Sequence, residues 1–296
     1  MDRDPQLPPN QLDTRLTKDE ATKLANEVKT LLRAGQTPAK DAENISKLVA
    51  GLGDSRGLLR RTFAEGLGTI GNAALPALCH ALRHHPDVTV RRAAAKSLRL
   101  VGDPIALPHL LEALINDQDP VVQGSSVGAM ATFGEDAVEL LLQVLISPTS
   151  NATQSGLASW GLAFVGAKAP RALKKAALSK NANVRAAAIA ALGEQIQSLN
   201  DIEAKSIVIN SLTDESGDVR AEATALIGEL NEPKWAIPFL KRKLKDSNSH
   251  VRINATLALM KLGSNDELQE LEIRAKEEND EKVLDVIKLA ITRLKK

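Results

Sequence analysis

A marker that recurs at an almost constant step restricts the folds open to this chain more than any other feature. Taking the residue just before the repeat's Arg, or before whatever replaces that Arg, the marker falls at Leu59, Val90, Val122, Gln154, Val184, Val219, Val251 and Val283. The steps are 31, 32, 32, 30, 35, 32 and 32 residues. Such a period denotes an array of helical hairpins, because each unit is one supersecondary element that buries its apolar face only by stacking on its neighbours. Within a unit, Val90, Ala93, Ala94, Leu98 and Val101 fall on one stripe of an amphipathic helix, the second of its hairpin. The leucine-rich stretch upstream supplies the first helix, as in ALPALCHAL, IALPHLLEAL and WAIPFLKRKL. Its early Pro stands where a missing N–H costs little. Asp87, Asp119, Asn181 and Asp280, three residues before their markers, are placed to cap the second helix. Gly71, Gly102, Gly134, Gly166 and Gly263 follow at a fixed distance and suit a helix-terminating left-handed position.

Composition agrees with the repeat. Hydrophobic residues make up 43% of the chain but aromatics only 2%, with no Tyr, so the core is built from Leu, Ala, Ile and Val. That supports close-packed helices and argues against a β-sandwich or barrel. The expected fold is all-α: an α-solenoid, a right-handed superhelix of about seven hairpins. Residues 1–17 read as a flexible tail, 18–37 as an N-terminal capping helix, 38–279 as the repeats and 280–296 as a C-terminal capping helix.

Several function classes drop out. Lys plus Arg number 38 against 37 for Asp plus Glu, so no global charge draws the chain to nucleic acid or anionic lipid. Cys79 is the single cysteine, which excludes an internal disulfide and a multi-thiolate zinc site. The first residues lack an apolar signal segment and no run of eighteen apolar residues occurs, so a cytoplasmic location without membrane insertion is expected. No Walker loop, dinucleotide fingerprint, nucleophile elbow or zincin motif is present. His84 and His85 read as a solvated turn, and His80, His109 and His250 are scattered over different repeats, so no metal site is expected. Cys79 reads as a small buried hydrophobe, the alternative being a nucleophile or transient thioether acceptor beside His80 and Arg83.

The remaining signal lies on a helix face. Positions 2, 5, 6 and 9 after each marker point away from the buried stripe and are expected to line the inner side of the array. In the first two repeats they are Arg61, Ala64, Glu65, Gly68 and Arg92, Ala95, Lys96, Arg99. The third gives Gly124, Val127, Gly128 and Ala131, the fourth Gly156, Ser159, Trp160 and Ala163, and the fifth Ala186, Ile189, Ala190 and Gly193. Gly inside a helix is about 1 kcal/mol worse than Ala, so Gly124 and Gly128, one turn apart, give up stability for access. Tight hairpin stacking explains any one of these small residues; three successive repeats point to a guest. The expected contacts are Arg61, Glu65, Arg92, Lys96, Arg99, Gly124, Val127, Gly128, Ser159, Trp160 and Ile189. Such a groove suits an amphipathic helix or a flat apolar ligand bearing carboxylates.

Val90-Arg91, Val184-Arg185, Val219-Arg220 and Val251-Arg252 resemble the Val-Arg pair of HEAT repeats. The resemblance implies a ladder in which each Arg bonds an Asp of the neighbouring hairpin, broken here at Gln123 and Ser155. More closely, the stretch from VRRAAAKSLRLVGDPIALPHLLEAL to GLASWGLAFVGAKA resembles the HEAT-repeat proteins of cyanobacterial phycobilisome metabolism. These are the E/F-type phycobilin lyases and, closer still, the phycobilisome-degradation type. This implies a protein that docks phycobiliprotein subunits, their bilin, or both during antenna assembly or degradation. It implies a phycobilin as ligand or substrate, no required cofactor, a second HEAT-repeat subunit as a further partner, and association with thylakoid-bound phycobilisomes. The alternatives are a lyase or lyase subunit acting at a cysteine thioether, and a generic protein scaffold. The lyases' Tyr-Tyr/Trp-Trp stretch is reduced here to Trp160, which weighs against catalysis more than against binding.

Overall fold

The computed structural model describes residues 16–230, 232–262 and 265–295. Among the described residues the regular structure is entirely helical, and the chain divides into two compact units. Most of the tail expected at 1–17, and Gly263, lie outside the described residues.

The first unit comprises Met1–Leu141 and Ser150–Gly161. It contains α1 (Lys18–Arg33), α2 (Ala42–Gly51), α3 (Gly57–Ile70), α4 (Leu75–His84), α5 (Val88–Val101), α6 (Leu107–Asn116) and α7 (Pro120–Met130). Helices α8 (Glu135–Ile146) and α9 (Ala152–Val165) contribute to both units. The second unit continues with α10 (Pro170–Ala176), α11 (Ala182–Ala191), α12 (Gly193–Leu199), α13 (Ile202–Ser211) and α14 (Gly217–Glu229). It ends with α15 (Pro233–Lys243), α16 (Ser249–Leu262), α17 (Asn265–Glu277) and α18 (Glu281–Leu294). In the first unit α3, α5 and α7 pack side by side in that order; in the second, α11, α14, α16 and α18 do the same. This is the α-solenoid class, successive second helices packing on one another within each unit.

The marker positions explain the stacking. Val90, Val122, Val184, Val219, Val251 and Val283 are buried, as the stripe requires. Gln154 occupies the same core position by satisfying its amide: Nε2 donates to the Ile115 carbonyl, and Oε1 accepts from the Asn151 N–H. The predicted caps form. Asp87 accepts from the Thr89 N–H, Asp119 from Val121 and Val122, Asn181 from Asn183 and Val184, and Asp280 from Lys282 and Val283. Each such cap is worth about 1 kcal/mol. Gly71, Gly102, Gly134 and Gly166 take positive φ, and Gly102 has the left-handed helical pair, φ 74° and ψ 15°. At Gly71 (φ 74°, ψ −140°) and Gly134 (φ 61°, ψ −125°) the peptide is flipped, a conformation open essentially to Gly alone, and the chain passes almost directly into the next hairpin.

The implied ladder is present and more elaborate than a row of ion pairs. Arg91 reaches Asp117 at 2.8 Å, Arg185 reaches Asp214 at 2.8 Å, Arg220 reaches Asp246 at 2.7 Å, and Arg252 reaches Glu278, in place of an Asp, at 2.8 Å. The other arm of each guanidinium donates to the carbonyl six residues back: His85, Ser179, Asp214 and Asp246. One side chain thereby joins the turn of its own hairpin to the acid of the next. Gln123 keeps the first half, donating to the Asp117 carbonyl at 2.7 Å, and loses the ionic half.

Burial alone would raise the Asp246 carboxyl, but hydrogen bonds from Arg220, the Asn248 N–H and Lys243 override it and hold the pKa at about 2. Asp214 and Glu278 are lowered by the same balance. A carboxylate whose folded pKa lies below the unfolded value of about 4 contributes stability in full above that value and loses it as pH falls through the folded pKa. The melting temperature, followed by helical circular dichroism, is therefore expected to fall between about pH 4 and pH 2, and less steeply for Asp246→Asn.

Candidate functional site

Second helices α5 and α7, with the part of α9 that belongs to the first unit, build a depression within that unit. Helix α5 is wedged between α3 and α7, so only a narrow strip of it stays open. At ~100° per residue, position 2 lies about 200° from the marker, position 6 about 240° and position 9 about 180°, whereas position 5 lies at about 140°, on the side of the next repeat. The structure follows this geometry. Arg61, Arg92, Lys96, Arg99 and Trp160 are exposed, and Gly124 and Gly128 partly so. At position 5, Ala95, Val127 and Ile189 are each 0% exposed.

Val127 and Ile189 are therefore corrections to the sequence reading. The Cγ1 of Val127 abuts α9, 2.6 Å from where a side chain at Gly161 would begin, and Ile189 is sealed in the core of the second unit. Period analysis of a single helix registers the partner helix of its hairpin but not the flanking repeats, which cover a second face. Ser159, also at position 5, is half-buried and stands outside the pocket lining. Arg61 and Glu65 bind each other one turn apart, Nε to Oε1 at 2.7 Å, on α3 and also outside it.

The depression has a volume of about 660 Å³, within the range of small-molecule sites. Of the residues named from the sequence, Lys96, Arg99, Gly124, Gly128 and Trp160 come together in it, joined by Val121, Ser125, Ala129 and Leu157. The last four were missed because they lie at other offsets from the marker. Leu157 had a usable signal, standing three residues before Trp160 and so on the same helix face.

The glycines on the open faces of α7 and α9, of which Gly124 and Gly128 line the pocket, owe nothing to crowding. A Cβ at Gly124 would have only Leu157 near it, at 3.8 Å; one at Gly128 would meet the Trp160 ring at 3.6 Å, ordinary contact; one at Gly156 would meet nothing within 4 Å. Nor does any of the three have a positive φ. Elsewhere in the first unit the reason is packing: at Gly51 a Cβ would lie 2.5 Å from the Phe63 ring, and at Gly66 2.9 Å from Val28.

The rim is cationic on one side. Partial burial pushes the Lys96 ammonium below its usual pKa, and repulsion from Arg92, Arg99 and Arg60 adds to the drop. No Asp or Glu lines the pocket. Cys79 is buried on α4 and is not part of the lining. Among the described residues no group of three or more His, Cys, Asp or Glu is placed to hold a metal ion, and no helix is long and apolar enough to cross a membrane.

The HEAT repeats family matches residues 45–131 and 205–291. The bilin biosynthesis protein MpeU of Synechococcus sp. (strain WH8020) is 44% identical over 281 residues, covering 95% of this chain and 95% of that one. The chain belongs to the HEAT-repeat family that includes MpeU. A shorter likeness, 37% over 112 residues, links it to the uncharacterized phycocyanin operon protein Z of Pseudanabaena tenuis (strain PCC 7409). That match spans 36% of this chain and 55% of the other. Among solved structures, Kap95p with RanGDP superposes with a TM-score of 0.51 at 15% identity, covering 96% of this chain and 45% of that one. At such identity the likeness speaks to the fold alone, and the fold is again a stack of helical hairpins.

Proposed function

We propose that this protein handles phycobilin in the metabolism of the antenna, and that the pocket of its first unit receives the pigment, free or still carried by a phycobiliprotein subunit. One observation carries the reading. In a chain 44% identical to a bilin biosynthesis protein, the glycines of one helix face are required neither by packing nor by backbone conformation, and they floor a cavity walled by Trp160. Helix stability has been given up there for open space, and a planar conjugated ring against an indole is an occupant that uses it. The protein would act beside thylakoid-bound phycobilisomes in the cytoplasm, with a second HEAT subunit as its partner in any covalent step.

A lyase reading is the alternative, favoured by the biosynthetic role in the relative's name. Cys79 does not serve it, being buried away from the pocket, so a thioether made or broken here would involve the phycobiliprotein's own cysteine. Mixing the purified protein with phycocyanobilin, with holo-phycobiliprotein and with the apo-subunit tests both readings. A shifted visible absorbance or complex formation without transfer supports binding, and transfer to or from the apo-subunit supports the lyase. No response in any mixture leaves a scaffold for an unrelated partner and sinks the proposal.

A further inference from the structure

We infer that the pocket of the first unit selects the free pigment in its dicarboxylate form, held with both carboxylates along α5 and its conjugated rings across the glycine floor against Trp160. The inference rests on the pigment reading above and adds the chemical form and the orientation of the occupant.

Arg92, Lys96 and Arg99 follow one another at helical spacing on α5 and are all exposed. Lys96 and Arg99 line the pocket, whereas Arg92 stands outside its lining on the same helix; from the first to the last the three cover about 10 Å of helix axis, enough to meet two separate acids on one edge of a flat molecule. Among the described residues none of the three has an ion-pair partner, although the same stretch of chain supplies partners where the fold needs them. Arg91, next to Arg92, is clasped by Asp117, and Arg61 on α3 is paired with Glu65. Arg60, the other cation acting on Lys96, spends one arm on the Asp54 carbonyl. The charges acting on Lys96 are all positive. A cluster of that kind destabilises the unliganded protein, and an anion from outside relieves it.

The opposite wall is of contrary character. Leu157 and Trp160 on α9 present apolar surface, and the floor between the two walls is α7, with Val121 and the backbone at Gly124 and Gly128. The site is thus charged along one edge and apolar along the other, which fixes how a flat molecule with acids on one side lies in it. A docking protein helix is about 10 Å across and needs a long groove; a cavity of about 660 Å³ confined to three helices fits a small planar molecule better.

The test titrates the full-length protein with phycocyanobilin and with its dimethyl ester, reading visible absorbance. The diacid is expected to bind at least about tenfold more tightly than the ester, since only the acid forms charge-assisted bonds to Lys96 and the arginines. In the double variant Lys96→Met with Arg99→Met the ratio is expected to approach one through loss of diacid affinity, while Trp160→Ala weakens both ligands. Circular dichroism confirms that each variant is folded. Equal affinity of the wild type for acid and ester overturns the inference and leaves the pigment reading intact, as does a ratio that survives the double substitution. Binding of holo-phycobiliprotein with no response to either free pigment also overturns it, leaving the docking reading. No binding of any of the three overturns both.

Discussion

Gly128→Leu is expected to lower pigment or phycobiliprotein affinity by more than about tenfold while leaving the helix content and melting temperature at or above those of the parent. The backbone at Gly128 is ordinary helix, and Leu is a better helix former than Gly by nearly 1 kcal/mol, so α7 itself gains. The first added atom would rest 3.6 Å from the Trp160 ring, which no neighbour has to yield to, and the rest of the side chain would project into the cavity. Occupancy is lost because space is lost. Gly161→Leu on α9 is the matched control with the opposite outcome. Its Cβ would lie 2.6 Å from Val127 Cγ1 and 3.1 Å from Leu141 Cδ1, so overpacking is expected to cost about 1–3 kcal/mol. Isothermal titration and thermal melts of the two variants separate these effects. A Gly128→Leu protein that binds like the parent would show that this cavity is not where the ligand sits.

That contrast also shows how far the sequence could be read. The array and its caps were legible because each is local: an Asp or Asn three residues before a Val, a helical stripe and a period near 32 residues constrain only a hairpin and its neighbour, whereas the ladder came from the HEAT resemblance. The pocket was legible at positions 2, 6 and 9, where Gly124, Gly128, Lys96, Arg99 and Trp160 point outward whatever the neighbours do. It was misread at Val127 and Ile189, because a helix in a stack has a second buried face whose extent depends on how closely the next repeat approaches. On α9 that approach is set partly by Gly161, whose missing side chain lets Val127 in. A glycine in the sequence does not say whether it admits a ligand or a neighbouring helix; only the distance to the nearest atom does.

Removing one acid from the ladder is expected to have the largest effect on stability: Asp246→Ala should cost about 3 kcal/mol. The side chains of Asp246 and Arg220 are 6% and 14% exposed, so the pair is screened little by solvent. Asp246 accepts both Nε and Nη2 of Arg220, the Asn248 N–H at 3.0 Å and Lys243 Nζ at 3.1 Å. Truncation removes all of these bonds and leaves a buried guanidinium held by the carbonyls of Asp214 and Glu215 and a long bond to the Ser247 hydroxyl. Asp246→Asn, which keeps the shape and an oxygen for the Asn248 N–H, is expected to cost less. The exposed Arg61–Glu65 pair has the same 2.7 Å separation, yet its side chains are 77% and 41% exposed, and Glu65→Ala is expected to cost under ~0.5 kcal/mol. In a stack where each repeat is stabilised chiefly by its neighbours, cutting the tie between α14 and the α15–α16 turn also weakens the coupling of the two hairpins, so the urea transition of Asp246→Ala should broaden as well as shift. A loss below about 1 kcal/mol in that experiment would mean that apolar stacking alone holds these hairpins in register and that the Arg clasps only accompany it.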